Sequence, residues 1–222
     1  MALSDHDIKK NATHNAMITP FYGETINMNE RGQPVTSFGL TSYGYDIRLG
    51  RNFIFYRGQE NKVINYTVAG GEKKVMFIEA FKTKYPDEEP VIDPNNFDSR
   101  LIVQINDVDE IWIPAKTFFL GVSEEYIKVP RNFKVHCDNK STCARSAIGF
   151  FVTPLEPGWE GFITLEFYNH YDGLLKLTTG MGISQLHFEN NSECHITYAD
   201  KKGKYQNQGN YPIPPLSFKK DS

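Results

Sequence analysis

Short runs of β-branched and aromatic residues, cut every few positions by Gly, Pro, Asn or Asp, fill this chain and constrain its fold more than any other feature. The runs are YDIRLG, NFIFY, KVMFIEA, EIWIPA, TFFLGV, FKVHC, FITLEFYN, GISQLHFE and CHITYA. Many short strands with frequent turn signals predict an all-β sandwich or barrel with few helices. Helical signal is confined to LSDHDIKKNA near the start, where Ser4 can cap, Asp7 completes a capping-box pattern and lysines lie near the end.

The 222 residues suit one domain with appendages, and 40% hydrophobic with 14% aromatic residues is enough for a sizeable core. A formal net charge of -3 argues against nucleic-acid binding by bulk electrostatics, so an anionic ligand has to be met by a local cluster of Lys and Arg. Three cysteines, Cys137, Cys143 and Cys194, without paired spacing fit a reducing compartment. Neither an apolar leader nor a membrane-length apolar run is visible, so the chain is expected to be cytoplasmic, with no membrane partner. The polar stretch 58–90, with AGGEKK and PDEEP, reads as a hairpin or loop excursion on the surface of a single β domain spanning 1–203. The Gly-, Pro-, Asn- and Lys-rich end, 204–222, reads as a tail able to order over a ligand.

Two stretches carry chemistry. In NKSTCARS, Ser141 and Arg145 are four apart and share a face if the segment is helical. Lys140, Ser141 and Thr142 would then sit at an N-terminus that favours an anion. A plain capped helix with an exposed Arg145 satisfies the same spacing. In EGFITLEFYN, strand alternation sets Ile163, Leu165 and Phe167 on one face and Thr164, Glu166 and Tyr168 on the other. A carboxylate between aromatic neighbours is partly desolvated, which raises its pKa and suits it to acid–base work. An edge strand with its polar face in water would explain the pattern equally. TPLEPGWEG, with Trp159, reads as a rigid turn walling a slot, or as a turn with one buried Trp. YADKKGKYQNQGN offers Tyr198, Lys204, Tyr205 and Gln208 to close over a triphosphate, or a solvated tail. The pair His187 and Glu189 matches half of a zinc-deaminase signature, but P-C-x-x-C is absent and three zinc ligands cannot be assembled.

In order, LSDHDI, TSYGYDIRLG, VIDPNNFD, IPAKTFFLGVSEEYIKVPRNF, NKSTCAR, VTPLEPGWEGFITLEFYN, GMGISQLHFE and YADKKGKYQNQ resemble the dCTP deaminase family, within the dUTPase-like trimer superfamily. The resemblance implies a distorted β-barrel or jelly-roll-like subunit, a homotrimer with sites between subunits, and zinc-independent deamination of dCTP to dUTP and ammonia. It implies Glu166 as general acid and base, Ser141 positioning the water or the base, and Arg145 holding Glu166. A carbonyl near Thr153 and Pro154 completes the water's cage. Lys140, Ser141 and Thr142 would take the triphosphate, Glu156 and Trp159 the deoxyribose and base, and Tyr198, Lys204 and Gln208 would close over them. Mg²⁺ would arrive with the triphosphate. The chain departs from the family pattern at Asn139, where Gly is common, and at Phe151, where Asn or His is frequent. A bifunctional enzyme that also cleaves dUTP to dUMP and pyrophosphate, a dUTPase, and a non-catalytic nucleotide-binding regulator are the alternative readings.

Overall fold

Ser4 starts the first helix as the spacing predicts: its hydroxyl donates to the Asp7 carboxylate at 2.8 Å and accepts from the Asp7 amide. The helix, α1, spans Asp5–Asn15 and buries Ile8 and Ala12. Two short helices follow, α2 (Phe81–Lys84) and α3 (Ser141–Arg145). The remainder is strand and turn in a computed structural model that describes residues 1–29, 32–151 and 153–216.

The strands are β1 (Ile18–Thr19), β2 (Thr25–Met28), β3 (Pro34–Thr41), β4 (Gly44–Arg48), β5 (Phe53–Tyr56), β6 (Lys62–Val68), β7 (Lys73–Ile78), β8 (Ile102–Ile105), β9 (Val108–Ile113), β10 (Phe118–Lys128), β11 (Phe133–Asn139), β12 (Ile148–Phe151), β13 (Glu160–Asn169), β14 (Leu175–Thr178) and β15 (Gly182–Asn190). They form three antiparallel sheets. One runs β12-β13-β10-β5-β8, with β1 on β10; the second runs β11-β15-β4-β3-β2; the third runs β14-β9-β6-β7. One continuous core lies between them, as the mainly β reading requires.

The inner face of the first sheet is an aromatic stack. Phe119 lies 5.8 Å from Phe55 and 5.3 Å from Phe167, and Phe167 lies 5.3 Å from Phe150. These rings fix β5, β10, β12 and β13 in one register, which sets the opposite faces of those strands around a common hollow.

β10 carries an irregularity in the middle. Val122 faces Thr164 and Tyr126 faces Phe162, so β10 uses two more residues than β13 between these pairs. Ser123 fills the gap: its hydroxyl accepts from the Ile163 amide at 2.8 Å and donates to the Glu125 carbonyl at 2.7 Å. The bulge turns Glu125 inward, where it is fully buried. There its carboxylate accepts from Arg48 Nε at 2.7 Å and from the Arg48 amide at 2.8 Å. The guanidinium is flanked by the rings of Tyr22 at 4.8 Å and Phe38 at 5.1 Å. This buried pair ties the second sheet to the first.

Three stretches differ in detail from a pattern reading. Within 58–90, β6 and β7 form a hairpin that joins the third sheet through β9; Ile64, Ile78 and Phe81 enter the core and the opposite face is surface. The run CHITYA is not a strand. The Thr197 and Asp200 side chains each accept from the other's amide, at 3.1 and 2.9 Å, which closes a turn instead of a ladder. Residues 204–216 are packed against β13 rather than free, while 217–222 lie outside the described residues.

Candidate active site

β13 is an interior strand, with β10 on one side and β12 on the other; Glu166 faces Leu120 in one and Phe151 in the other. Its side chain therefore stands on a sheet face, not at an edge in water. The alternation holds: Ile163, Leu165 and Phe167 are buried, while Thr164, Glu166 and Tyr168 are half-buried on the other face. Burial pushes the Glu166 carboxyl up to about 7, against the pull of a main-chain hydrogen bond. Among the described residues no Lys or Arg forms an ion pair with it.

Glu166 opens into a cavity of about 490 Å³, within the range of small-molecule sites. The turn between β12 and β13 supplies Thr153, Pro154, Glu156 and Trp159, and the C-terminal segment supplies Tyr198, Tyr205, Gln208, Ile213 and Pro215. Two glycines allow the C-terminal segment to lie this close. Gly158 has φ +80, and a side chain there would meet Thr197; one at Gly161 would meet the Gln208 amide at 2.8 Å. The segment is then fastened at several points. The Trp159 indole donates to the Tyr205 carbonyl at 2.8 Å, and Phe162 N–H donates to the Gln208 carbonyl at 3.0 Å. Thr164 Oγ1 accepts from Gln208 Nε2 at 2.5 Å and from the Ile213 amide at 3.0 Å. The Tyr198 hydroxyl accepts from the Tyr205 amide at 3.1 Å, and Glu156 pairs with Lys201 at 3.3 Å.

Eight residues singled out in the sequence thus meet in one cavity: Thr153, Pro154, Glu156, Trp159, Glu166, Tyr198, Tyr205 and Gln208. The other five lie outside it. Lys204 Nζ donates to the Leu216 carbonyl at 2.8 Å and lies 5.2 Å from the Tyr205 ring centroid. Ser141, Thr142 and Arg145 sit on α3 with exposed side chains. α3 precedes the Ile148 end of β12, which pairs with Asn169, whereas Phe151 pairs with Glu166. The start of β12 is thus roughly 10 Å from Glu166 along the strand, and Arg145 lies farther back in sequence. Among the described residues Arg145 forms no ion pair with Glu166 of its own chain, and the resemblance assigns the site to the space between subunits. Lys140 is also placed differently: its ammonium pairs with the buried Asp46 carboxylate, which accepts from Gln185 Nε2 at 2.9 Å as well. A buried carboxylate needs that partner, so the lysine is held inward rather than offered to an anion.

The chain matches the model of the family described as dCTP deaminase-like over residues 2–191. The chain belongs to the dCTP deaminase-like family. A protein of Chlamydia pneumoniae named dCTP deaminase is 36% identical over 212 residues, covering 95% of this chain and 96% of its own. One of Leptothrix cholodnii with the same name is also 36% identical over 212 residues, covering 95% and 97%. The crystal structure of 2'-deoxycytidine 5'-triphosphate deaminase from Agrobacterium tumefaciens superposes with a TM-score of 0.51 at 14% identity, over 86% of this chain and 48% of that one. At that identity the likeness is one of fold alone.

Several cavity residues of this dCTP deaminase-like chain escape a reading of local motifs. Tyr56, Phe118 and Leu120 also line the hollow. Tyr56 packs 5.4 Å from Phe118 and 6.1 Å from Phe97, and burial, with the Glu166 charge nearby, pushes its phenol up to about 12. It reaches the site only through the pairing of β5 with β10 and of β10 with β13. His187 of the half zinc signature lies 3.6 Å from Asp138 across the β11–β15 ladder. Among the described residues no three His, Cys, Asp or Glu side chains gather as a metal-holding group, and no helix is long and apolar enough to cross a membrane.

Proposed function

We propose that this chain catalyses the hydrolytic deamination of dCTP to dUTP and ammonia, with Glu166 as general acid and base. The observation that carries the reading is Glu166 itself: a half-buried carboxyl, raised to about 7, facing a cavity of nucleotide scale. It stands in a chain whose relatives named dCTP deaminase align over 95% of its length. Attack at C4 of cytosine needs a hydroxide equivalent, then a proton for the departing amino group. A carboxyl titrating near neutrality takes the proton from water as the oxygen adds to C4. It passes that proton to ring N3, which takes up the electron pair of the C4–N3 double bond, then carries the proton of the added hydroxyl to the amino nitrogen, so that ammonia leaves as the C4 carbonyl forms. Water is consumed and the triphosphate is untouched.

The cavity wall supports the rest of the assignment. Trp159 and Tyr198 offer aromatic surface to the base, Glu156 lies beside them for the sugar, and Gln208 closes one side on its bond to Thr164. A sugar without a 2′-hydroxyl would be selected by close packing here. Mg²⁺ enters as part of the nucleotide substrate.

Ser141 and Arg145 complete the reading in an assembly. In a homotrimer with sites between subunits, α3 of one copy would bring its exposed Ser141 and Arg145 to the Glu166 cavity of the next. The exposure of both side chains, and the absence of a cationic partner at Glu166 among the described residues, favour this arrangement. Complementation tests it. Glu166→Gln and Arg145→Ala chains are each expected to be inactive alone. Unfolded together in equal amounts and refolded, they are expected to regain about a quarter of the parental turnover, the fraction of sites that receive both intact residues from different copies. A mixture as inactive as its components would mean that each site is built within one chain.

A further inference from the structure

The third sheet ends on β7, which among the described residues pairs only with β6. Which main-chain groups of β7 are left over follows from its ladder. The Val68 amide donates to the Glu72 carbonyl at 3.0 Å, and the Ala80 amide donates to Asn61 Oδ1 at 2.7 Å. In an antiparallel pair the bonding direction alternates residue by residue. The even-numbered residues of β7 therefore bond toward β6, and Lys73, Val75 and Phe77 direct their N–H and C=O groups outward. The free edge stops at Glu79, whose carbonyl accepts from Arg57 at 3.0 Å.

The same alternate residues form an apolar patch on the solvent face. Val75 is 65% exposed, Phe77 59%, and Val63, opposite Phe77 in β6, 46%. An open edge beside exposed apolar side chains is the arrangement that invites strand addition.

We propose that β7 pairs antiparallel with β7 of a second copy of this chain, about a two-fold axis at Met76. The occupant and the register both follow from charge and geometry. Outward-bonding residues have to face outward-bonding residues, so the axis must pass through a residue and not between two. An axis at Val75 would set Lys73 against Phe77. An axis at Phe77 would set Glu79 against Val75. An axis at Met76 sets Lys73 of each copy beside Glu79 of the other and Val75 beside Phe77. Among the described residues neither Lys73 nor Glu79 has an ion-pair partner within its own chain, so both charges are open to a second copy. Val75 and Phe77 then exchange main-chain bonds across the axis, and the two third sheets become one. Cross-strand pairs of unlike charge and of apolar side chains are the stabilising units of such a ladder. The contact is isologous and closes on itself. It is independent of whether copies also assemble around a shared Glu166 cavity; each basal assembly simply acquires a way to double.

Sedimentation velocity on the full chain, from about 1 to 100 µM, tests the pairing. The parent is expected to double its basal mass as concentration rises. Lys73→Glu sets like charges beside each other twice per interface and is expected to weaken the doubling on the order of tenfold. Combining it with Glu79→Lys restores opposite charges and is expected to restore the doubling. Val75→Pro removes an outward N–H without touching the β6 ladder and is expected to abolish the doubling at an unchanged melting temperature. A parent that never doubles, a Lys73→Glu chain that doubles as the parent does, or a double variant no better than Lys73→Glu alone would overturn the proposal.

Discussion

Replacing Glu166 by Gln is expected to lower kcat for dCTP by roughly 10²–10⁴-fold, the range for loss of a positioned acid–base group, while dCTP still binds. The substitution keeps the side-chain shape and removes only the titrating carboxyl. pH dependence adds a second readout. The carboxyl is raised to about 7 by burial, and catalysis needs it ionised to accept the first proton. The parental kcat/KM should therefore fall as pH drops below about 7, and the residual activity of Glu166→Gln should lack that limb. Stability runs the other way. The folded chain holds a proton near pH 7 that an unfolded glutamate, with pKa about 4.3, has already released. The stabilisation from this group is full below about pH 4.3 and is lost as pH rises toward 7. The Gln variant escapes that loss, so its melting temperature should gain on the parent's from pH 5 to pH 8. Scanning calorimetry and initial rates across that interval check both signs. An unchanged gap together with near-parental turnover would remove Glu166 from the mechanism.

The largest expected loss of stability lies away from the cavity. Arg48→Ala leaves Glu125, which is fully buried in the bulge of β10, without the guanidinium that it faces at 2.7 Å. Burial already pushes the Glu125 carboxyl up while Arg48 draws it back. Removing one partner of a buried pair costs about 3–5 kcal/mol, and here the packing on Tyr22 and Phe38 goes with it. At about 2–4 °C per kcal/mol for a domain of this size, the melting temperature should fall by roughly 10 °C at fixed protein concentration. Arg48→Met with Glu125→Leu should recover much of that, because an apolar pair of similar volume needs no compensating charge. If the single and double variants melt alike, the penalty is not that of a stranded carboxylate.

How much of this was legible in the sequence depended on range. Alternation along FITLEFYN placed Glu166 on the half-buried face, because strand periodicity is local. It could not place β13 inside the sheet, since that depends on β10 and β12 as neighbours. The composition around Trp159, Tyr198 and Gln208 suited a slot wall and a closing segment or a plain turn and a solvated tail alike; the two glycines that bring them to one cavity, Gly158 and Gly161, act only through contacts with Thr197 and Gln208. Arg48 and Glu125 are 77 residues apart, and only the bulge reveals that a charged side chain inside SEEYIK points inward. The spacing of Ser141 and Arg145 was read correctly as one turn of helix. That the site forms between subunits came only from the resemblance, because the sequence of a single chain does not say which copies meet. The placing of Lys140 is long-range too: a lysine next to hydroxyls looks solvent-bound until Asp46, brought in from β4, pairs with it.

The account rests on one reaction, and the most direct measurement resolves its products. The full chain, passed through a zinc chelator, is incubated with dCTP and Mg²⁺ while dUTP, dUMP, ammonia and pyrophosphate are followed together. The account predicts ammonia and dUTP released in equal amounts at a rate the chelator does not change, because Glu166 activates the water. Bound dCTP that yields no ammonia, or ammonia that appears only when zinc is returned, would contradict it.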